Sequence, residues 1–167
     1  TALFPLGCRV GQQRYVAVEG WNLCSDRLYL DARKQQVGGI RETPLGHGTA
    51  MSNVVAYEVD ALPATVEAEG NDTLETAQAI HPPLIIDGRI GTPGDVDVFA
   101  FKGKSGAQVV VEAIARRVRS PLDALVRLLD ADGNVVVWND DYERKDGYLH
   151  TSGGTLTQDA DSYLRTQ

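Results

Sequence analysis

Leu125-Val126-Arg127-Leu128-Leu129-Asp130-Ala131-Asp132-Gly133-Asn134-Val135-Val136-Val137-Trp138 contains two short apolar, β-branched runs either side of a turn-forming cluster. Each run has strand length, and Gly133 supplies the left-handed position that a tight turn needs, so the stretch predicts a β-hairpin. If Asp130 pairs with Asn134 across the turn, the same register sets Asp123 opposite Asp141. Working outward, the same pattern recurs at Arg14 to Val18, Arg27 to Leu30, Val54 to Val59, Leu84 to Ile86, Val98 to Phe101, Gln108 to Ala113 and Tyr148 to Leu149. Gly, Pro, Asn and Asp clusters separate these runs, which predicts an all-β chain of sandwich type. A single helical turn is expected at Thr73 to Ala79, with Asn71 or Asp72 capping its first amides. The glycine-rich stretch from Gly38-Gly39 through Leu45-Gly46-His47-Gly48 is expected to be a long surface connection.

The 167 residues suffice for one ordinary domain or two small ones, and 43% apolar content supplies packed cores. A boundary is expected near Leu62-Pro63-Ala64-Thr65, where a strand gives way to an acidic stretch. That divides the chain into residues 1–62, an acidic linker 63–72, and residues 73–167. A net charge of -7 argues against nucleic acid as a partner, since the richest basic run is only Arg116-Arg117-Val118-Arg119. No apolar run approaches the roughly 20 residues needed to cross a bilayer. The opening Thr1-Ala2-Leu3-Phe4-Pro5 lacks the features of a signal peptide and begins inside a strand-like segment. The chain is therefore expected to be a mature or excised piece of a longer, exported protein.

Cys8 and Cys24 fit a disulfide, two thiols or half of a metal site. The strand-like Gln13 to Glu19 between them would hold their loops more than about 20 Å apart at about 3.3 Å per residue, beyond disulfide reach. Free thiols are expected.

Glu67, Glu69, Asn71 and Asp72 place four oxygen-bearing side chains in six residues. In an extended segment, alternation sets Glu67, Glu69 and Asn71 on one side. Calcium takes about six to eight oxygens, more than this cluster holds. Asp95 and Asp97, just before a strand, offer a second source if the linker folds back on them. The competing account leaves Asn71 and Asp72 capping the next turn and both glutamates in solvent.

The run Glu69-Gly70-Asn71-Asp72-Thr73-Leu74-Glu75-Thr76-Ala77, then Asp87-Gly88-Arg89-Ile90, Gly94-Asp95-Val96-Asp97-Val98-Phe99-Ala100-Phe101, Ser120-Pro121-Leu122-Asp123, Leu128 to Asn134 and Asn139-Asp140-Asp141 resembles the bacterial pre-peptidase C-terminal family. The resemblance spans about residues 66 to 165, with the motifs in family order. It implies a jelly-roll-like β-sandwich appended to a secreted protease or other exported protein, similar to the collagen-binding modules of bacterial collagenases. It also implies calcium held by the acidic linker, with Glu67, Glu69, Asn71, Asp72, Asp95 and Asp97 as ligands. Gly70 departs from the family, whose members often have Pro there, which implies a less rigid linker. Relatives close the sandwich with strands beyond an Asp-Ser-x-Leu-Arg segment, so the chain is expected to continue past Gln167, the alternative being that a partner covers the exposed strand edges. Residues 1–62, with Phe4-Pro5-Leu6-Gly7, Gly11 and Gly20-Trp21-Asn22-Leu23, resemble an immunoglobulin-like TIG module.

A second acidic group, Asp123, Asn139, Asp140 and Asp141, falls at the far end of the hairpin. In the family the Asp-Ser-x-Leu-Arg pattern follows the Asn-Asp-Asp segment, which implies that Asp161 returns to this corner. A second, weaker cation site and simple satisfaction of turn amides are both open. Catalysis is not expected: the acids sit in turns without an aromatic platform, no Gly-x-Ser-x-Gly accompanies Ser52, and His47, His81 and His150 are scattered in loops. Trp21 and Trp138 are expected to be core or edge packing residues. The expected role is a non-catalytic, calcium-stabilised accessory module at the cell envelope or outside the cell, acting in adhesion, matrix contact or assembly with a protein or extracellular-matrix partner. The alternatives are a structural subunit of a larger envelope or multi-protein complex and an accessory fragment of a secreted protease.

Overall fold

The computed structural model describes residues 2–47, 50–141 and 161–166. The expected strand at Tyr148 to Leu149 and His150 lie outside them. The chain is all-β, with a single 3-10 turn among the described residues, and forms two compact units, Thr1–Lys102 and Gly103–Gln167.

In the first unit β1 (Ala2–Phe4), β2 (Gly7–Arg9), β3 (Gln13–Glu19), β4 (Arg27–Asp31), β5 (Ile40–His47) and β6 (Ala50–Asp60) make two three-stranded sheets, ordered β1-β3-β4 and β2-β6-β5. Alternation decides which residues turn inward: in β3, Val16 and Val18 are buried while Tyr15, Ala17 and Glu19 are exposed. Leu3, Val16, Val18 and Leu30 from the first sheet join Cys8, Leu45, Val55, Tyr57 and Val59 from the second in one core. Burying each large aliphatic contributes about 1.5–3 kcal/mol, which makes this the main stabilising cluster of the unit.

The stretch expected to be a surface connection is instead the eight-residue strand β5, with Leu45 buried. Pro44 disguised it, because proline cannot donate to a central ladder. β5 lies on the sheet edge, where that donor is not needed, and its register shifts between Pro44 and Gly46.

Residues beyond the expected boundary belong to this same unit. β7 (Ala64–Val66) pairs parallel with β9 (Ile85–Asp87), and β8 (Gln78–Ala79) pairs parallel with β10 (Phe99–Ala100). Asp87, only 4% exposed, accepts the Leu6 amide at 2.8 Å. The Arg89 guanidinium lies 4.1 Å over the Phe4 ring and 3.3 Å from Glu19. These contacts tie residues 85–89 to β1 and β3, which is why the first unit runs to Lys102 rather than ending near 62. The helical turn expected at Thr73 to Ala79 is one hydrogen-bonded turn, Thr76 N–H to Thr73 carbonyl at 3.2 Å, followed directly by β8. The Thr73 and Thr76 hydroxyls bond its amides, a role expected of Asn71 or Asp72.

In the second unit β11 (Val110–Glu112) pairs antiparallel with β14 (Tyr163–Arg165), and β12 (Val126–Leu129) forms the expected hairpin with β13 (Val135–Asn139). Gly133 has φ 84°, and the Asp130 amide bonds the Asn134 carbonyl at 2.9 Å. Beyond the turn the register slips: Leu129 faces Val135, but Leu128 faces Val137. The bulge leaves Val136 unpaired and displaces everything past it by one residue. The ladder then ends at Val126–Asn139, so Asp123 is not paired with Asp141.

The tryptophans are not core residues. Trp21 is 95% exposed beside Asn22, whose φ of 53° turns the chain between β3 and β4, and Trp138 is mostly exposed on β13.

Both cysteines are free thiols, Cys8 buried in the core and Cys24 exposed. Burial pushes the Cys8 thiol above its ordinary value. One thiol per native chain should therefore react quickly with a thiol reagent and the other only on unfolding. Two fast thiols would contradict the burial of Cys8.

Candidate metal centre

β7 leads Glu67 into the site. The Glu67 amide donates to the Asp87 carbonyl at 2.9 Å, extending the parallel ladder by one residue. Its carboxylate then crosses the start of the Gly88–Ile90 segment, where Oε2 accepts the Arg89 amide at 2.9 Å. A Cβ on residue 88 would stand 2.7 Å from Oε2, so Gly88 is the cradle in which this carboxylate rests.

The other oxygen, Oε1, accepts the Asn71 side-chain amide at 3.1 Å. Asn71 is 2% exposed, and its Nδ2 also reaches the Val98 carbonyl at 3.4 Å, while its backbone carbonyl accepts the Val98 amide at 2.8 Å. Gly70, at φ 91°, turns the chain inward just before it. Proline is fixed near φ -65° and cannot take this conformation, so position 70 does not accept it.

Asp97, half-buried, approaches the same place from the segment before β10. Its carboxyl is pushed up to about 7, first by burial, then by a hydrogen bond with Glu67 and by the charges of Glu67, Asp95 and Glu69. Two carboxyl groups in mutual hydrogen-bonding reach cannot both be ionised without a proton or a cation between them. Two oxygens here are buried without a hydrogen-bond partner, Asn71 Oδ1 and Asp97 Oδ1. Burying an unsatisfied polar atom costs about 1–3 kcal/mol.

The donors are of the oxygen type a divalent cation takes: the Glu67 and Asp97 carboxyl groups lie within reach of each other, Asn71 beside them donates to Glu67, and two acceptors are orphaned. Glu69 is exposed and contributes charge. Asp95 spends Oδ2 on the Gly91 amide at 2.6 Å, shaping the turn before Asp97, and Asp72 is exposed. No three His, Cys, Asp or Glu side chains among the described residues converge tightly enough to hold a metal by themselves. Gly88 and the Arg89 amide escaped the sequence reading, although Asp87-Gly88-Arg89-Ile90 was one of the motifs that carried the resemblance.

The second acidic group is occupied by protein partners. Asp161, 1% exposed, accepts the amides of Ala115, Arg116 and Arg117 at 2.8, 2.7 and 3.2 Å and the Arg117 Nε at 2.8 Å. Burial alone would push its carboxyl up, but the Arg117 guanidinium and the three amides outweigh it and hold the group below its ordinary value. It organises the 3-10 turn Arg116–Val118. Asn139 accepts the Tyr163 amide at 2.9 Å and donates to the Asp141 carbonyl at 3.0 Å, and the Ser162 hydroxyl bonds the carbonyls of Ala124 and Asp140. Asp161 does return towards the Asn-Asp-Asp segment through its neighbour Ser162, but its carboxylate turns to Arg117. Asp123, Asp140 and Asp141 form no carboxylate cluster with it.

No protein-family model matches the chain, and no solved structure matches it. The chain is similar to a probable subtilase-type serine protease of Deinococcus radiodurans, 30% identical over 128 residues. The match covers 71% of this chain and 17% of that protein, so the chain spans about a sixth of its relative's length.

Two outcomes follow from the two carboxylates. Replacing Asp161 by Ala strands the Arg117 guanidinium and three amides, and should cost the second unit about 3–5 kcal/mol in urea unfolding; a loss below about 1 kcal/mol would show that this contact does not organise the turn. For Asp97 the sign is opposite. Its folded value, about 7, lies above its ordinary 3.8, so between them the folded chain keeps a proton that the unfolded chain has lost. In chelator the melting temperature should fall as pH rises from 5 to about 7, with buried Asp87, also raised, adding to the slope. Asp97→Asn should flatten the profile; an unchanged slope would remove Asp97 as its cause.

Proposed function

We propose that this chain is a non-catalytic accessory part of an exported, protease-type bacterial protein, and that one calcium ion bound at Glu67, Asn71 and Asp97 fastens the segment after β7 to the segment that leads into β10. The observation that carries the metal is the pair of buried acceptors without partners, Asn71 Oδ1 and Asp97 Oδ1, beside a carboxylate already seated on Gly88. Oxygen-only donors of this kind suit calcium, and extracellular modules bind it with affinities of about 10⁻⁴–10⁻³ M. When bound, the cation supplies the positive charge that lets Glu67 and Asp97 both ionise at neutral pH.

The accessory role is supported by the likeness to one stretch of a subtilase-type protease and by the resemblance of residues 66 to 165 to the pre-peptidase C-terminal family. The two-sheet packing of residues 2–60 suits the TIG-like resemblance of the first segment. The carboxylates described above are engaged with backbone amides, guanidinium or each other, which suits a structural use better than acid–base chemistry. Wider roles in adhesion or matrix contact have the exposed Trp21 in their favour.

Thermal unfolding with chelator and with calcium tests the metal. At calcium about 100-fold above its dissociation constant the folded state gains about 2.7 kcal/mol, or roughly 10 °C or more for a unit of ~100 residues. Asn71→Leu should abolish the shift. Identical melting in chelator and in millimolar calcium would overturn the assignment.

A further inference from the structure

The open edges of the two sheets of the first unit differ in a way that singles out β4. β1 and β2 are three residues long, and β5 carries Pro44 with a register shift beside it. β4, Arg27-Leu28-Tyr29-Leu30-Asp31, has neither proline nor bulge and lies at the end of its sheet. Short strands, prolines and bulges are the usual protections of an edge against pairing with another chain.

The hydrogen-bond parity of β3 and β4 shows which groups meet that edge. The Val18 amide bonds the Asp26 carbonyl and the Ala32 amide bonds the Gln12 carbonyl, at 2.8 and 2.9 Å. Even-numbered residues of β4 therefore face β3, and the amides and carbonyls of Arg27, Tyr29 and Asp31 point outward. Side chains cover the two ends: the Ser25 hydroxyl bonds both the amide and the carbonyl of Arg27, and the Gln35 carboxamide donates to the Asp31 carbonyl at 3.2 Å. The middle of the edge, at Tyr29, is left open.

The side chains of the same three residues stand on the outer face. Arg27 and Asp31 flank Tyr29 at equal distance with opposite charge. The 46%-exposed Tyr29 ring lies 5.1 Å from the 66%-exposed Tyr15 ring on β3. Such a strand is complementary to itself in one orientation only: antiparallel pairing centred on Tyr29 sets each Arg27 opposite an Asp31, whereas parallel in-register pairing sets like charges together.

We propose that β4 pairs antiparallel with β4 of a second copy about a two-fold axis at Tyr29, joining two three-stranded sheets into one of six strands. The occupant is a second copy because the charge pattern and the open backbone groups match under that one symmetry, as an isologous contact requires. Arg27 of each copy meets Asp31 of the other, and the tyrosine pairs of the two copies join into a row of four on the outer face. The Ser25 and Gln35 bonds at the ends give way to inter-chain ladder bonds. Asp31 already accepts four donors, the Arg33 amide at 3.1 Å, the Arg33 Nε at 3.0 Å and Nη2 at 2.7 Å, and the Gln13 carboxamide at 3.2 Å. These fill the roughly four lone-pair sites of an ionised carboxylate, so Arg27 of the second copy takes the place of the longest of them, from Gln13.

Sedimentation equilibrium of the 167-residue chain and four charge arrangements tests this. The wild type should approach twice its 18.1 kDa mass with rising concentration. Arg27→Asp alone and Asp31→Arg alone should each be monomeric, their equimolar mixture should recover the doubled mass, and the double variant Arg27→Asp/Asp31→Arg should dimerise by itself. Both positions are exposed, and circular dichroism of each variant checks that the fold is kept. A wild type that stays monomeric up to millimolar concentration, a dimer indifferent to both single reversals, or single-variant monomers that fail to re-associate on mixing would each overturn the proposal.

Discussion

Two carboxyl groups, Glu67 and Asp97, meet in a partly buried place, where the side-chain amide of Asn71 donates to Glu67. Much of the first unit's later half follows from holding them there. Glu67 arrives because β7 runs parallel to β9 and the ladder continues through its own amide. It stays because residue 88 has no side chain and because the Arg89 amide bonds its outer oxygen. Asp97 arrives because Asp95 closes the preceding turn on the Gly91 amide and because the Asn71 backbone holds Val98. Each of these is an ordinary backbone contact. Their sum is an unusual demand for positive charge, which a proton meets in acid and which the proposed cation would meet at neutral pH.

The same segment also joins the acidic stretch to the sandwich before it. Asp87 is buried and bonds the Leu6 amide, and Arg89 bridges the Phe4 ring and Glu19. The seat of the Glu67 carboxylate, on Gly88 and the Arg89 amide, thus adjoins the contacts of Asp87 and Arg89 with the sheets of β1 to β6. A cation there would stiffen the attachment rather than create it.

How far the sequence revealed this depended on whether the deciding residues announced themselves locally. Period-2 runs such as Gln13 to Glu19 and the hairpin around Gly133 did, because their alternation and turn chemistry are carried within a few residues. β5 did not, since Pro44 and Gly46 mark a loop unless the strand is known to lie on an edge. Near Pro63 the composition changes, while the contacts group residues on both sides into the one compact unit Thr1–Lys102. At the candidate site Glu67, Asn71 and Asp97 were legible as oxygen donors in two stretches. The capping role offered to Asn71 looked equally good until the threonines of the following turn were seen to serve it. Gly88 was not legible, because its significance lies in the approach of a side chain from 21 positions away. The bulge at Val136 was invisible as well: a single extra residue leaves the hairpin's apolar pattern intact yet moves its far end off register. Asp161 was expected beside the Asn-Asp-Asp segment, while the partner its carboxylate takes, Arg117, read only as part of a weak basic run.

A calcium ion at this place, as proposed, would favour the folded state by mass action. The account stands or falls on whether the proton and the cation compete for the same oxygens. Isothermal titration of the chelator-treated chain with calcium at pH 6, repeated in two buffers of different ionisation enthalpy, measures both at once. One calcium should bind per chain with release of close to one proton, and the release should disappear in Asp97→Asn. No binding heat in either buffer, or binding without proton release, would contradict it.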